Sequence, residues 1–158
     1  MTTPRVLEGE IAARGCKVAI AAARFNDFIV ASLLKGAIAA WTGHGGPAED
    51  LLVARVPGAF ELPVVARKLA LSGRYDAVVA LGCVIRGDTP HFEYVAGECA
   101  RGLQQASLES GVPVIFGVLT VETVEQALER AATTAGNKGG ESMEAALEMA
   151  SLMARLSS

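Results

Sequence analysis

Four short turns carry residue types that can do chemistry. They are Phe25-Asn26, Pro57-Gly58-Ala59-Phe60-Glu61, Arg86-Gly87-Asp88-Thr89-Pro90-His91 and residues 120–123. Phe25 and Phe60 stand in polar or glycine-containing turns. A ring there either caps the local core or offers its face to a flat heteroaromatic ligand. Glu61, in the first turn of a helix, serves the helix dipole or a bound ligand. His91, just inside a helix N-terminus, is either a surface histidine or an imidazole that exchanges protons near neutral pH. The other histidine, His44, lies between Gly43 and Gly45 and is assigned to solvent. The amides of Asp88 and Thr89, with the Thr89 hydroxyl, can hold a phosphate at the helix start, whereas the Asp88 carboxylate would oppose an anion. Arg130 falls at the boundary of the buried face of its helix. It is a cation for that phosphate or an ordinary snorkelling arginine. No GxxxxGK[ST], GxGxxG or GxSxG occurs, and no His-carboxylate zinc motif.

The elements between these turns alternate. Residues 17–23, 51–56, 77–85 and 112–119 are short apolar runs that read as strands, and 77–85 is apolar on both faces, as in the middle of a parallel sheet. Helices are predicted between and after them. Asn26 or Asp27 caps the first, in which Val30, Leu33, Leu34, Ala37 and Trp41 share a face, with Phe28 and Phe116 read as core by position. The second spans residues 60–71, with Pro63 in its first turn. Thr89 and Pro90 form an N-cap and N1 pair for the third, which runs to about residue 109. Thr123 and Gln126 form a capping box for the fourth, whose Val124, Ala127, Leu128 and Ala131 make one stripe. The last covers residues 141–156 and places Met143, Ala146, Leu147 and Ala150 on one face. This alternation predicts an α/β fold, a three-layer αβα sandwich around a four-stranded parallel, flavodoxin-like sheet. In such sheets ligands bind beyond the carboxyl ends of the strands, where the four turns fall.

At 158 residues the chain is read as a single domain, with 1–14 an N-terminal arm and 15–156 the core. Residues 6–11 have no local partner and are either a loose tail or an edge strand donated to another subunit. Fourteen Lys and Arg against seventeen Asp and Glu leave a charge of -3, with no basic block to bind nucleic acid. No apolar run approaches a membrane span, and the first residues lack the pattern of a signal peptide. Three cysteines without CxxC spacing suit free thiols in a reducing, cytoplasmic compartment better than a metal site.

The turns and their flanks, read in order, resemble the lumazine synthases of riboflavin biosynthesis. The motifs are Arg24-Phe25-Asn26-Asp27-Phe28-Ile29, Val56-Pro57-Gly58-Ala59-Phe60-Glu61-Leu62-Pro63, Leu81-Gly82-Cys83-Val84-Ile85-Arg86-Gly87-Asp88-Thr89-Pro90-His91-Phe92-Glu93-Tyr94-Val95, Gly111-Val112-Pro113-Val114-Ile115-Phe116-Gly117-Val118-Leu119-Thr120 and Ala135-Gly136-Asn137-Lys138-Gly139. The resemblance runs from about residue 15 to residue 153.

It implies condensation of 5-amino-6-ribitylaminouracil with 3,4-dihydroxy-2-butanone 4-phosphate to 6,7-dimethyl-8-ribityllumazine, with release of phosphate and water and without metal or organic cofactor. By family position, Phe25 with Asn26 meets the pyrimidine, Ala59, Phe60 and Glu61 hold the ribityl chain, and Cys83, Val84 and Ile85 frame the ring. His91 is the implied proton carrier. Asp88, Thr89 and Arg130 bind the phosphate, Phe116 comes from a neighbouring subunit and Lys138 approaches the pocket. Asp88 departs from the family as an acidic residue in the phosphate turn. The partners implied are these two small molecules and further copies of the chain, in a homopentamer or a shell of sixty, with neither nucleic acid nor membrane. The compact turn at residues 136–140 is similar to that of shell-forming members. A flavin-binding protein without catalysis and a purely structural shell protein are the competing readings.

Overall fold

The structure is a computed structural model that describes residues 2–132 and 136–158. Ala135 of the last motif lies outside the described residues. Four strands, β1 (Val18–Ala23), β2 (Leu52–Val56), β3 (Ala77–Ile85) and β4 (Val114–Val121), form one parallel sheet in the order β2-β1-β3-β4. Five helices cover it: α1 (Asp27–Gly43), α2 (Leu62–Leu71), α3 (His91–Ser110), α4 (Val124–Arg130) and α5 (Lys138–Leu156). All six residues of β1 are buried, as are the first eight of β3. Inner strands of a parallel sheet face a helix layer on each side, so both of their faces must be apolar.

Two cores result. On one face Ile20, Val79 and Leu81 pack with Leu33 and Trp41 of α1 and with Met143 and Leu147 of α5. On the other Ala19, Val78 and Ala80 pack with Leu62 and Ala66 of α2 and with Cys99 and Leu103 of α3. Trp41 reaches this depth because its indole Nε1 donates to the Pro47 carbonyl at 2.7 Å, leaving no buried donor unpaired. Contact between α1 and α5 depends on Gly139, where a Cβ would stand 1.9 Å from the Leu33 carbonyl oxygen.

Several expectations need correction. Phe28 and Phe116 are not core: they are 77% and 39% exposed. Of the expected stripe only Ala127 in α4 and its C-cap Ala131 are buried, whereas Val124 and Leu128 face outward, because seven residues of helix present too narrow a stripe to cover more. His44 is not free in solvent, since its Nε2 lies 2.8 Å from Glu144 Oε2 on α5. Strand β4 starts and ends two residues later than the apolar run suggested, and α5 starts at Lys138, capped by Asn137, whose Oδ1 accepts from Gly140 N at 3.1 Å. A turn of 3-10 helix at Ala59–Glu61 leads into α2.

The N-terminal arm is not a strand in the single chain. It runs over α5, where Glu10 N donates to Ser151 Oγ at 3.0 Å and Arg155 Nη2 donates to Glu10 Oε1 at 2.6 Å. None of the helices among the described residues is long and apolar enough to cross a membrane.

Candidate active site

Beyond the carboxyl ends of β1, β2 and β3 the turns enclose a cleft of about 670 Å³. The backbone builds it. Arg24 N donates to the Val56 carbonyl at 2.7 Å and Phe25 N to the Pro57 carbonyl at 2.9 Å, which zips the turn after β1 onto the turn after β2. On the other side Asn26 Nδ2 donates to the Cys83 carbonyl at 2.8 Å. Asn26 adopts the left-handed conformation at φ 62° and makes no side-chain cap to α1. It occupies the expected N-cap position, its carbonyl accepting from Ile29 N and Val30 N, while its side chain fastens Phe25 between β2 and β3. Asparagine tolerates this backbone better than most residues.

Phe25 is thereby held with 69% of its surface exposed, its ring turned to the cleft rather than the core. Gly58 makes room beside it: a Cβ there would meet Glu61 Oε1 at 3.2 Å and Phe25 Cβ at 3.9 Å. The Glu61 carboxylate therefore folds back over the turn. Cys83, Val84 and Ile85 form the floor. Burial pushes the Cys83 thiol up to about 11, so at neutral pH it is an uncharged wall and not a nucleophile.

The opposite wall is the start of α3. Thr89 and His91 line it, but the cap differs by one residue from expectation. Pro90 occupies the N-cap, His91 is the first helical residue, and its amide is 3.4 Å from Thr89 Oγ1. Tyr94 and Val95 also face the cleft, with Phe92 and Gly87. The sequence held a signal for the first two, because residues 91, 94 and 95 are spaced i, i+3, i+4 and must share a helical face.

Of the residues singled out in the sequence, Phe25, Asn26, Ala59, Phe60, Glu61, Cys83, Val84, Ile85, Thr89 and His91 thus come together in one cleft. Asp88, Phe116, Arg130 and Lys138 do not line it. Arg130 Nη1 donates to the Gln126 carbonyl of its own helix at 3.0 Å, and Phe116 projects from the edge strand β4. The cleft combines an exposed phenyl face, a carboxylate, an imidazole and hydroxyls along an apolar floor. Such a site stacks a planar polar ring, hydrogen-bonds a hydroxylated chain and moves protons. Among the described residues its lining holds neither Lys nor Arg.

A family model described as 6,7-dimethyl-8-ribityllumazine synthase matches residues 15–154. A protein of Syntrophus aciditrophicus with that same name is 56% identical over 153 residues, covering 97% of this chain and 99% of the relative. One of Nitratidesulfovibrio vulgaris, again with that name, is 55% identical over 152 residues, covering 96% and 97%. The chain belongs to the 6,7-dimethyl-8-ribityllumazine synthase family.

Proposed function

We propose that this chain condenses 5-amino-6-ribitylaminouracil with 3,4-dihydroxy-2-butanone 4-phosphate, giving 6,7-dimethyl-8-ribityllumazine in riboflavin biosynthesis. The observation that carries the reading is the convergence of Phe25, Glu61 and His91 on one cleft in a chain of this family. Phe25 stacks on the pyrimidine, and residues 59–61 hold the ribityl hydroxyls. The 5-amino group attacks the ketone and water leaves to form an imine. Phosphate is then eliminated, and the ribitylamino nitrogen closes the second ring with loss of water. His91 carries protons between these steps. Much of the acceleration comes from holding two reactants in register, an effect that contributes roughly 7–11 kcal/mol in favourable cases.

The phosphate needs a cation that the cleft of one chain does not offer. Arg130 supplies it, with Lys138 and Phe116, from an adjacent copy in a homopentamer that closes further into a sixty-subunit shell. Three features support this: the three residues lie outside the chain's own cleft, the rings of Phe28 and Phe116 are exposed, and the edge of β2 is open to accept residues 6–11 of a neighbour. Residues 15–156 act as one synthase domain with residues 1–14 as its arm. Free Cys16, Cys83 and Cys99 fit a reducing cytoplasm.

The test is to mix both substrates with native particles of measured mass. Fluorescent lumazine and free phosphate should appear together in equal amounts. Riboflavin binding without product would refute the enzymatic reading, and an active monomer would refute the shared site.

A further inference from the structure

We propose that Arg86 is a positioning residue for this condensation: bridging Glu93 and Glu122 while lying on Phe92, it fixes the first turn of α3, and His91 with it, against the end of β4. The inference rests on the functional reading above. Arg86 directly follows β3, and its amide donates to the Val121 carbonyl at 2.9 Å, so its backbone is already tied to the last residue of β4. Its side chain then reaches two ways. Nη1 donates to the Glu93 carboxylate, two residues beyond His91, and Nε is ion-paired with Glu122 Oε2 at 2.7 Å. The guanidinium carbon stands 4.4 Å from the ring centre of Phe92, which lines the cleft although Arg86 does not.

Two considerations favour positioning over stability. The three side chains are 39%, 54% and 59% exposed, and exposed ion pairs add little to folding. Apart from the packing of Phe92 and Val95 on the core, the helix start they hold lacks a polar anchor, because the Pro90 N-cap supplies no side-chain cap and Thr89 Oγ1 is 3.4 Å from the His91 amide. A planar fork that donates in two directions and stacks on a ring suits this task, and a lysine cannot reproduce it. The hydrogen bond from Arg86 also holds the Glu93 carboxyl below the usual carboxylate range, keeping the bridge charged at neutral pH.

Steady-state kinetics of native particles carrying Arg86→Ala, Arg86→Lys, Glu122→Gln and the double variant Arg86→Ala/Glu122→Gln test this. A displacement of an ångström can cost on the order of a hundredfold, so a partial release should lower kcat of Arg86→Ala by about tenfold. KM for the ribitylaminouracil should stay within about threefold, since the floor and the Phe25 side of the cleft are untouched. Arg86→Lys should fall near Arg86→Ala, Glu122→Gln should lose about threefold, and the double variant should be no worse than Arg86→Ala because both act through one bridge. Melting temperatures should stay close to that of the parent.

A kcat for Arg86→Ala within about twofold of the parent, a loss confined to KM, or additive losses in the double variant overturns the proposal. If Arg86→Ala does not fold, Glu122→Gln decides by the same split between kcat and KM. Failure of the parent itself to make lumazine refutes the functional reading instead, which separates the two.

Discussion

Adjacent glycines at the start of α5 offer a controlled perturbation. Gly139 and Gly140 both lie in the first turn of the helix, and neither has a positive φ. A Cβ on Gly139 would stand 1.9 Å from the Leu33 carbonyl oxygen, 2.6 Å from its carbon and 2.9 Å from its Cα, all backbone atoms that no rotamer change can clear. A Cβ on Gly140 would meet only the Gly36 carbonyl, its oxygen at 3.4 Å and its carbon at 3.8 Å, both ordinary contacts. Both substitutions to alanine gain up to about 1 kcal/mol of helix propensity. For Gly139→Ala this is outweighed, because α1 and α5 must part by roughly an ångström, and overpacking of this kind costs about 1–3 kcal/mol. At about 2–4 °C per kcal/mol for a chain of this length, the net cost of up to about 2 kcal/mol should make Gly139→Ala melt up to about 8 °C below the parent, and Gly140→Ala up to about 4 °C above it. Circular dichroism melts of both variants and the parent read the difference directly. The reasoning is refuted if Gly139→Ala melts at or above Gly140→Ala.

Other outcomes follow from the same geometry. His91→Ala should lower kcat by at most about a hundredfold with KM little changed, since orientation of the two reactants survives loss of the proton carrier; an unchanged kcat in the fluorescence assay removes His91 from the chemistry. Asn26→Ala loses the hydrogen bond to Cys83 and places alanine at a positive φ, together about 1.5–3.5 kcal/mol, and should also raise KM for the ribitylaminouracil as Phe25 loosens. A parent-like KM and melting point would contradict its role as a fastener. Burial pushes Cys99 from 9.0 up to about 12, so the unfolded chain releases this proton first as pH rises. Stability linked to Cys99 is therefore intact below about pH 9 and lost between about pH 9 and 12, and the urea midpoint of Cys99→Ala should fall less steeply than the parent's over that window.

What could be read from the sequence depended on how local the cause was. The runs in β1 and β3 are apolar on both faces, and that alone requires a central place in a parallel sheet, which they have. The Thr123 cap was legible for the same reason: its oxygen accepts from Gln126 N at 3.1 Å, within the motif itself. Asn26 takes the N-cap that its place in the sequence suggests, but its side-chain partner Cys83, like the Glu144 partner of His44, is far away in the chain, and no periodicity reports either. Phe28, Phe116, Val124 and Leu128 differ from expectation in another way. Apolar type does not by itself mean burial, and one chain leaves all four exposed. In the cleft, the turn residues announced themselves by being unusual, whereas Tyr94 and Val95 required the helical spacing from His91 to be followed into α3.

The four site residues outside the cleft sharpen the question of whether one chain or two make a site. Phe25→Ala and Arg130→Ala each damage a different half, the stacking face in one case and the phosphate cation in the other. If both halves come from the same chain, particles co-assembled from equal amounts of the two variants contain only damaged sites, and activity is the mean of the separate preparations. If the halves come from adjacent copies, random mixing pairs an intact cleft with an intact Arg130 at about one junction in four, and the activity of those sites is restored. Co-expression of the two variants, followed by assay near the parent's KM, should therefore recover roughly a quarter of the parent's rate above the variants' own residual. Activity at the simple mean, in particles shown by mass to contain both variants, would place Arg130 with its own chain's cleft or outside the site altogether. Recovery would give the exposed ring of Phe116 and the remote guanidinium of Arg130 one cause, since a residue that completes another copy's cleft has no reason to be covered in its own.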